Sequence, residues 1–332
     1  MCVGVILTAF LSFDLQEKNF QTNLKKALAI CLFFLIAFSL MPSAWHKIAD
    51  FEFHLNKSQG CTEGNESCLI YYPLLHILGS VFSFNSTAFL FFLNFLVLLV
   101  TPLVLFFITK NWVTPWLYFS ITQYVYLVNG GAAYPQALSI IFLLAIFATK
   151  NNFLRLVLFL VGSLAHSQAA VLIGVGWFLI LVQEGFFGKM FLLSCSGIFG
   201  KTVPQVLTEK VNVGVVQPTQ LITTSIQFKD VLNFFARIIP FPFFLVGLLQ
   251  VWYEKNIAVV GLVILLLYQG LALSGSVSPS RFFMVIPLIL LPSITRFYES
   301  LRPKWQHFFL FFTVLSFCWE FGSWFSYKLQ CI

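Results

Sequence analysis

The sequence predicts an all-α fold, a polytopic transmembrane helical bundle with about 10 to 11 spans. Of 332 residues, 59% are hydrophobic and only 9% are charged, whereas soluble domains carry roughly 25% charged residues. The apolar residues recur in segments of ~20 residues, the length a helix needs to cross the hydrocarbon core. The alternating decads typical of an outer-membrane barrel are absent from the sequence. Helices are therefore the expected spanning elements.

The elements follow from the apolar segments in chain order. One stretch, 154–183, is too long for a single crossing, and Gly162 and the polar residues 166–168 interrupt it, so two helices with a tight outer turn are expected. A weaker span covers 189–204, and 73–84 is predicted to be a short re-entrant or interfacial helix. The clearest spans are 24–42, 86–109, 113–129, 134–149, 154–183, 230–252, 256–274, 281–296 and 304–326.

The whole chain, 1–332, is interpreted as a single integral membrane domain, because neither an internal repeat nor a soluble domain is apparent in the sequence. Residues 1–13 form a short apolar run without a basic n-region or a small-residue cleavage site, so we interpret them as a partial or interfacial segment rather than a cleaved signal peptide. The predicted location is multi-pass, in the plasma membrane or, in a eukaryote, the endoplasmic reticulum.

Lysine and arginine residues predict the orientation. The net charge is +7, but these residues lie singly at the ends of apolar segments, which favours positive-inside anchoring over nucleic-acid binding. Alternation of the spans places Lys25, Lys26, Lys110, Lys150, Arg155, Lys189, Lys255, Arg296, Arg302 and Lys304 on one side, the cytoplasmic side. The outer loops are then 43–72, 129–134, 201–229 and 275–281.

The first outer loop carries signs of an oxidising compartment. Cys61 and Cys68 flank six residues, a spacing that closes easily into a disulfide. Asn56, Asn65 and Asn85 each begin a glycosylation sequon. Both features agree with the side that the charges assign to this loop.

The same loop offers a candidate catalytic carboxylate. If 44–57 is an interfacial helix, His46, Asp50 and His54 repeat every four residues on one polar face, which directs Asp50 into an aqueous cleft. Asp50 is a candidate general base, or a ligand for a divalent cation, which is the one cofactor considered. Glu52 lies about 200° away around such a helix and is the second candidate base. An ordinary solvated helix face has the same spacing.

Other polar residues fall near the outer ends of predicted spans. His76 either lines the cleft or is an interfacial histidine with its own partners. Tyr134 follows the glycines of a second outer hinge, where a simple turn needs the same residues. His166 belongs to a polar triplet between apolar helices, where ligand binding and helix–helix hydrogen bonding are both open.

Two arginines stand apart from the cytoplasmic set. Arg281 begins an apolar helix on the outer side, and helix amides together with a guanidinium make a phosphate-binding pair. Arg237 lies about two turns inside its span. Snorkelling toward lipid headgroups is the alternative for both. Motifs for nucleotide hydrolysis and for zinc peptidases do not occur in the sequence.

The first outer loop resembles a known family. The run Asp50–Leu55, followed by Tyr72-Pro73-Leu74-Leu75-His76, is similar to the "D…H…YPPL.H" pattern of polytopic GT-C type glycosyltransferases. Further similarities are the Tyr134-Pro135 hinge, the sequence Leu164-Ala165-His166, and Ser280-Arg281-Phe282-Phe283 leading into Ile286-Pro287. The chain departs from the pattern in its single proline at Tyr72-Pro73, in lacking a DxD motif and a large C-terminal soluble domain, and in its short length.

The resemblance implies a GT-C-like fold and a definite reaction. Such enzymes transfer a sugar, with inversion, from a polyprenyl-phosphate carrier to an acceptor at the non-cytoplasmic face. Asp50 would then deprotonate the acceptor hydroxyl, and Arg281 would stabilise the departing lipid phosphate. A phosphate leaving group is already good, so positioning and charge stabilisation can supply most of the remaining rate.

Two other functions stay open. A lipid-linked polysaccharide polymerase or ligase would depend more on Arg237 and Arg281 than on a carboxylate. A transporter or flippase should show related halves and charges near the midplane, whereas only Arg237 and Glu320 lie well inside predicted spans. The expected partners are a polyprenyl-phosphate-linked sugar, the lipid bilayer and, for a non-catalytic role, other membrane-complex subunits, with no nucleic acid.

Overall fold

The computed structural model describes residues 19–39, 73–83, 85–122, 134–164, 167–185, 241–272 and 285–330. Every regular element in these ranges is helical, so the all-α prediction is confirmed for the described part. Leu96–Val100 form a π-helical turn that makes α3 and α4 one continuous helix. The helices are α1 Phe20–Ser39, α2 Pro73–Val81, α3 Ser86–Phe95, α4 Thr101–Thr109, α5 Val113–Ile121, α6 Tyr134–Ala148, α7 Asn152–Ser163, α8 Ser167–Gln183, α9 Phe241–Tyr253, α10 Ile257–Ala272, α11 Val285–Ser300 and α12 Pro303–Gln330.

Two helices in the described part are long and apolar enough to cross a membrane. They are Phe20–Phe38 in α1 and Thr87–Thr109, which runs from α3 through the π-helical turn to the end of α4. Shorter apolar helices of 10–17 residues occur at Ser139–Ala148, Asn152–Ser163, Leu172–Gln183, Pro242–Tyr253 and Ile257–Tyr268. This helix content is compatible with a membrane protein.

The helix boundaries agree with most predicted spans, and the C-terminal ends of α5 and α11 differ from the prediction. The 154–183 stretch forms two helices, α7 and α8, as predicted. Helix α5 ends at Ile121 because Thr122 is extended, with ψ of 157°, and the predicted continuation to 129 lies outside the described residues. Helix α11 continues past the predicted end at 296 to Ser300. The span predicted at 189–204, residues 1–13 and residues 230–240 also lie outside the described residues.

Helix α5 lies at the centre of the packed core. All nine of its residues are buried, and it contacts α1, α4, α11 and α12. The ring of Phe119 stacks on Phe34 of α1 with centroids 3.9 Å apart. On another side, the Trp116 indole Nε1 donates to Thr313 Oγ1 of α12 at 2.7 Å. A largely apolar helix can be covered either by protein or by lipid, and in this structure these four helices cover α5.

The outer faces of the peripheral helices are apolar as well. Helix α7 exposes most of its large side chains, with Phe153 73% accessible. The outer face of α12 carries an aromatic-rich stripe at residues 305, 308, 312, 315 and 319, and its opposite face is buried against α5 and α11. Soluble proteins rarely expose apolar surface on this scale. Such a surface is compatible with a membrane protein.

One end of each long helix lies in a shared polar layer, which we call the basic end. It comprises the N-terminal ends of α1, α5, α7, α10 and α12 and the C-terminal ends of α4, α6, α8, α9 and α11, joined by the hydrogen bonds described below. Helices joined by the short connections at this end therefore run antiparallel, whereas α8 and α9, which are separated by residues 186–240, run parallel to each other. Short connections at residues 110–112, 149–151, 254–256 and 301–302 close this end. We call the opposite helix ends the distal end.

Candidate functional site

Most predicted site residues lie outside the described part of the chain. They are Asp50, Glu52, His54, His166, Arg237 and Arg281, together with the predicted disulfide partners Cys61 and Cys68. His76 is described, in α2, where it is half-buried. Tyr134 is the first residue of α6, which agrees with a hinge directly before that helix. Their roles in a site therefore stay predictions.

The helix ends that flank these residues share one location. The segment with Asp50 and Glu52 joins Ser39 to Pro73, the segment with Arg281 joins Ala272 to Val285, and His166 lies between Ser163 and Ser167. Ser39, Tyr134, Ser163, Ala272 and Val285 are all distal ends of their helices. The sequence-predicted candidates are thus attached to the same end of the described helices.

The segment between α8 and α9 is attached differently. Gly185, after α8, is at the basic end, whereas Phe241, at the start of α9, is at the distal end. This is the arrangement that an additional predicted span at 189–204 requires. Arg237 comes four residues before Phe241 in the sequence, close to the distal start of α9.

Helix α2 and the start of α3 form the described structure of the distal end. Asn85 caps α3, and its side-chain oxygen accepts a hydrogen bond from the Ala88 amide at 3.0 Å. The ring of Phe82 packs on Phe89 and Phe92 at centroid distances of 6.1 and 5.1 Å. These contacts join α2 to α3 and hold the helix that carries His76 beside the distal end of the bundle.

At the opposite, basic end, the strongest polar interaction is between Arg155 and Glu184. Arg155 is 3% exposed, and its guanidinium donates two hydrogen bonds of 2.9 Å to the two carboxylate oxygens of Glu184. It also donates to the carbonyl of Thr149 and to Asn152 Oδ1, each at 3.0 Å. Hydrogen bonding and attraction from Arg155 lower the pKa of Glu184. The pair ties the connection between α6 and α7 to the C-terminus of α8.

A second set of contacts continues from α8 to α11. Gln183 Oε1 accepts a hydrogen bond from the Ala258 amide at 2.9 Å, which caps the N-terminus of α10. In the turn before α10, Glu254 makes an ion pair with Arg296 at 2.7 Å and accepts a 3.1 Å hydrogen bond from the Ser293 hydroxyl. These contacts join the ends of α8, α9, α10 and α11 to one another at the basic end.

The last set of contacts closes the layer at the connection between α4 and α5. Asn111 Nδ2 donates to Glu299 of α11 at 2.8 Å, and Asn23 Nδ2 of α1 donates to the Lys110 carbonyl at 3.4 Å. Lys110 has φ of 59°, a left-handed conformation that ends α4 sharply. Lys26 places its ammonium 5.8 Å from the centroid of the Trp112 ring. The cations predicted to share one side thus lie at one end of the described bundle, except Lys189, which lies outside the described residues.

The π-helical turn at 96–100 is a feature that the sequence reasoning missed. The Thr101 amide bonds to the Leu96 carbonyl, five residues back. By the same spacing the Val97 carbonyl would need the amide of residue 102, which is proline and has no N–H. The Tyr118 hydroxyl donates to that carbonyl instead, at 2.9 Å. The available sequence signal was a proline inside an otherwise continuous apolar segment.

No family model, curated protein or solved structure matches this chain. Groups of three or more histidine, cysteine, aspartate or glutamate side chains suited to a metal ion do not occur among the described residues. Cys31 and Cys318 are free thiols within α1 and α12, as expected for packing cysteines. The candidate site therefore consists of the sequence-predicted residues at the distal end and the described helices that flank them.

Proposed function

We propose that the protein is a multi-pass membrane glycosyltransferase of the GT-C type, which moves a sugar from a polyprenyl-phosphate donor to an acceptor at the non-cytoplasmic face. The observation that carries the proposal is the common attachment of the candidate segments at the distal end. Asp50, His166 and Arg281 occur in segments flanked by distal helix ends, and the nine cations of the described basic end mark the opposite, cytoplasmic side.

The multi-pass location has two supports besides composition. Exposed side chains of α7 and α12 are predominantly apolar, and hydrocarbon removes the cost that water would impose on that surface. Trp252, Tyr253 and Trp305 are 76%, 81% and 54% exposed and lie beside the basic connections, as aromatic residues do at a membrane–water interface. A lipid-borne donor would reach a distal site through the bilayer.

The roles of the residues follow from the chemistry of the transfer. Asp50 removes the proton from the acceptor hydroxyl as that oxygen attacks the anomeric carbon, and the bond from that carbon to the phosphate oxygen breaks. Arg281 stabilises the charge on the departing lipid phosphate. Glu52 is the alternative base, and His54, His76, Tyr134, His166 and Arg237 are proposed substrate-binding residues. A divalent cation at Asp50 would be an alternative use of the carboxylate.

The test is transfer of radiolabelled sugar from polyprenyl-phosphate donors by the purified full chain, with Asp50→Asn beside wild type. Loss of a general base lowers rates by roughly 10²–10⁴-fold, so we expect a loss in this range for Asp50→Asn. Glu63→Gln, in the same loop, is the matched carboxylate control and should retain activity.

Two outcomes would contradict this assignment. A loss in Glu52→Gln with an active Asp50→Asn would move the base to Glu52. A wild-type protein that transfers sugar from none of the donors would contradict glycosyl transfer and favour a transporter. Movement of a lipid-linked sugar across a vesicle membrane would then test that function.

A further inference from the structure

The basic end carries more positive charge than its own carboxylates neutralise. Among the described residues at this end, the cations are Lys25, Lys26, Lys110, Lys150, Arg155, Lys255, Arg296, Arg302 and Lys304, and the carboxylates are Glu184, Glu254 and Glu299. All three carboxylates already have partners: Arg155 for Glu184, Arg296 for Glu254 and Asn111 for Glu299.

Five exposed cations of the basic end have no acidic partner within the described ranges. We call Lys25, Lys110, Lys255, Arg302 and Lys304 the basic girdle. Like charges gathered at one end repel each other unless counter-charges lie nearby. Glu184 and Glu254 are paired with arginines, and Glu299, which is bound by the neutral Asn111 amide, supplies one negative charge. The nine cations still exceed the three carboxylates by six, so further counter-charges must come from outside the described residues.

The surroundings of the girdle identify the chemistry of that counter-charge. Trp252 and Tyr253 precede Lys255 in the chain, and Trp305 follows Lys304 directly; all three rings are exposed. Amphipathic rings of this kind sit at the level of lipid headgroups. Exposed apolar side chains continue from them along the helices, such as Phe308 beyond Trp305. A nucleic acid would leave the adjoining apolar surface exposed to water, whereas a bilayer would cover it.

We propose that the basic girdle is a binding surface for the headgroups of anionic phospholipids, whose phosphates neutralise it. The lipid tails then cover the apolar faces that start at Trp252 and Trp305, and the headgroups contact Lys255, Arg302 and Lys304. This inference depends on the proposed membrane location and is independent of glycosyl transfer. It assigns the lipid class that the protein prefers around its cytoplasmic end.

The experiment is fluorescence quenching in vesicles. The full chain is reconstituted in phosphatidylcholine that contains either brominated phosphatidylglycerol or brominated phosphatidylcholine, because bromine quenches nearby indoles. The part of the quenching that disappears in a Trp252→Phe/Trp305→Phe variant reports the basic end. We expect the anionic lipid to be preferred on the order of fivefold, the effect of one basic residue at an anionic surface.

Matched variants decide the cause of the preference. Lys255→Gln/Arg302→Gln/Lys304→Gln should bring the preference close to one, whereas Lys201→Gln/Lys210→Gln/Lys229→Gln removes three charges from a predicted outer loop and should leave it unchanged. The wild-type preference should also fall at about 1 M salt, where the Debye length is ~3 Å. If the girdle triple variant loses helix content by circular dichroism, the single variants Lys255→Gln and Lys304→Gln replace it, and each should lose part of the preference.

The outcomes separate this inference from the membrane location. Equal quenching by the two lipids in wild type, or a preference retained in the girdle variants, would overturn the inference and leave the membrane location standing. Loss of the preference in both triple variants would overturn it too, since the effect would then be one of net charge. Absence of quenching by either lipid would overturn the inference and the membrane location together.

Discussion

Pro102 interrupts the regular hydrogen bonding of the helix that runs from α3 to α4. Its missing N–H and its ring disfavour a regular α-helix across residues 98–102. The chain widens into a π-helical turn, and the Tyr118 hydroxyl of α5 supplies the donor that the Val97 carbonyl needs. The carbonyl that lacks an amide donor within its own helix therefore accepts a hydrogen bond from a side chain of the central helix, α5. In an apolar interior, an unsatisfied carbonyl raises the free energy of the folded state, so this hydrogen bond stabilises the fold.

We therefore expect Tyr118→Phe to destabilise the protein by about 1 kcal/mol, because the Val97 carbonyl loses its donor while the ring is retained. In a Pro102→Ala background, the restored amide can satisfy carbonyls of the preceding turn. The same Tyr118→Phe substitution should then cost less than half as much. A double-mutant cycle measures the coupling between the two residues. Wild type, the two single variants and the double variant are unfolded in mixed micelles, and circular dichroism gives the free energy of unfolding of each. Equal costs in the two backgrounds would show that the proline does not create the need for the hydroxyl.

Glycines control how closely the helices approach one another. A Cβ at Gly162 of α7 would lie 2.8 Å from Phe142 Cβ of α6 and 2.5 Å from Ile173 Cδ1 of α8. A Cβ at Gly176 of α8 would meet chiefly Leu143 Cδ1, at 2.5 Å. The Leu143 methyl is the far end of a flexible side chain, whereas the Cβ of Phe142 moves only with its backbone. An added methyl group should therefore be tolerated less well at Gly162 than at Gly176, although both are small residues at helix interfaces.

This difference gives a matched pair of substitutions. Gly162→Ala should destabilise the protein by about 1–3 kcal/mol, the usual cost of overpacking, because α6 and α7 must separate. Gly176→Ala should cost clearly less, since rotation of Leu143 makes room. The midpoint of thermal unfolding in a mild detergent orders the two variants. The reverse order would mean that α6 and α7 are not packed at the distance that the structure gives.

At the scale of the whole molecule, alternating helix directions place all the described basic connections at one end. Hydrogen bonds from Arg155 to Glu184, from the Ala258 amide to Gln183, and from Asn111 to Glu299 link those connections. The same alternation makes the distal end the origin of the segments with Asp50 and Arg281. A site assembled at that end would face the compartment opposite to the basic girdle.

Cysteine accessibility tests this arrangement in cells or oriented vesicles. In a background without the native cysteines, Lys150→Cys and Lys255→Cys should react with a membrane-impermeant maleimide only from the cytoplasmic side. Ser58→Cys and Ser278→Cys should react only from the outside. Labelling of all four from the same side would contradict the multi-pass topology, and labelling of the first pair from outside would invert the orientation.

Composition and apolar periodicity were sufficient to predict the helical class, the division of 154–183 and the side shared by the basic residues, because these properties depend on local hydrophobicity and charge. They also predicted α5 as a helix. The sequence did not predict its central position, because an apolar helix has the same sequence pattern whether lipid or protein surrounds it.

The sequence by itself determined that the protein is helical and apolar, where most of its described helices lie to within a few residues, with the early end of α5 as the exception, and which of the described cations share an end. Only the tertiary structure decided that Glu184 and Glu254 are paired with arginines, that the Tyr118 hydroxyl donates to the Val97 carbonyl, and that Asn111 joins Glu299. The physical reason is distance along the chain. Hydropathy is a sum over neighbouring residues, whereas each of these contacts joins groups separated by many residues, so that no local pattern specifies them.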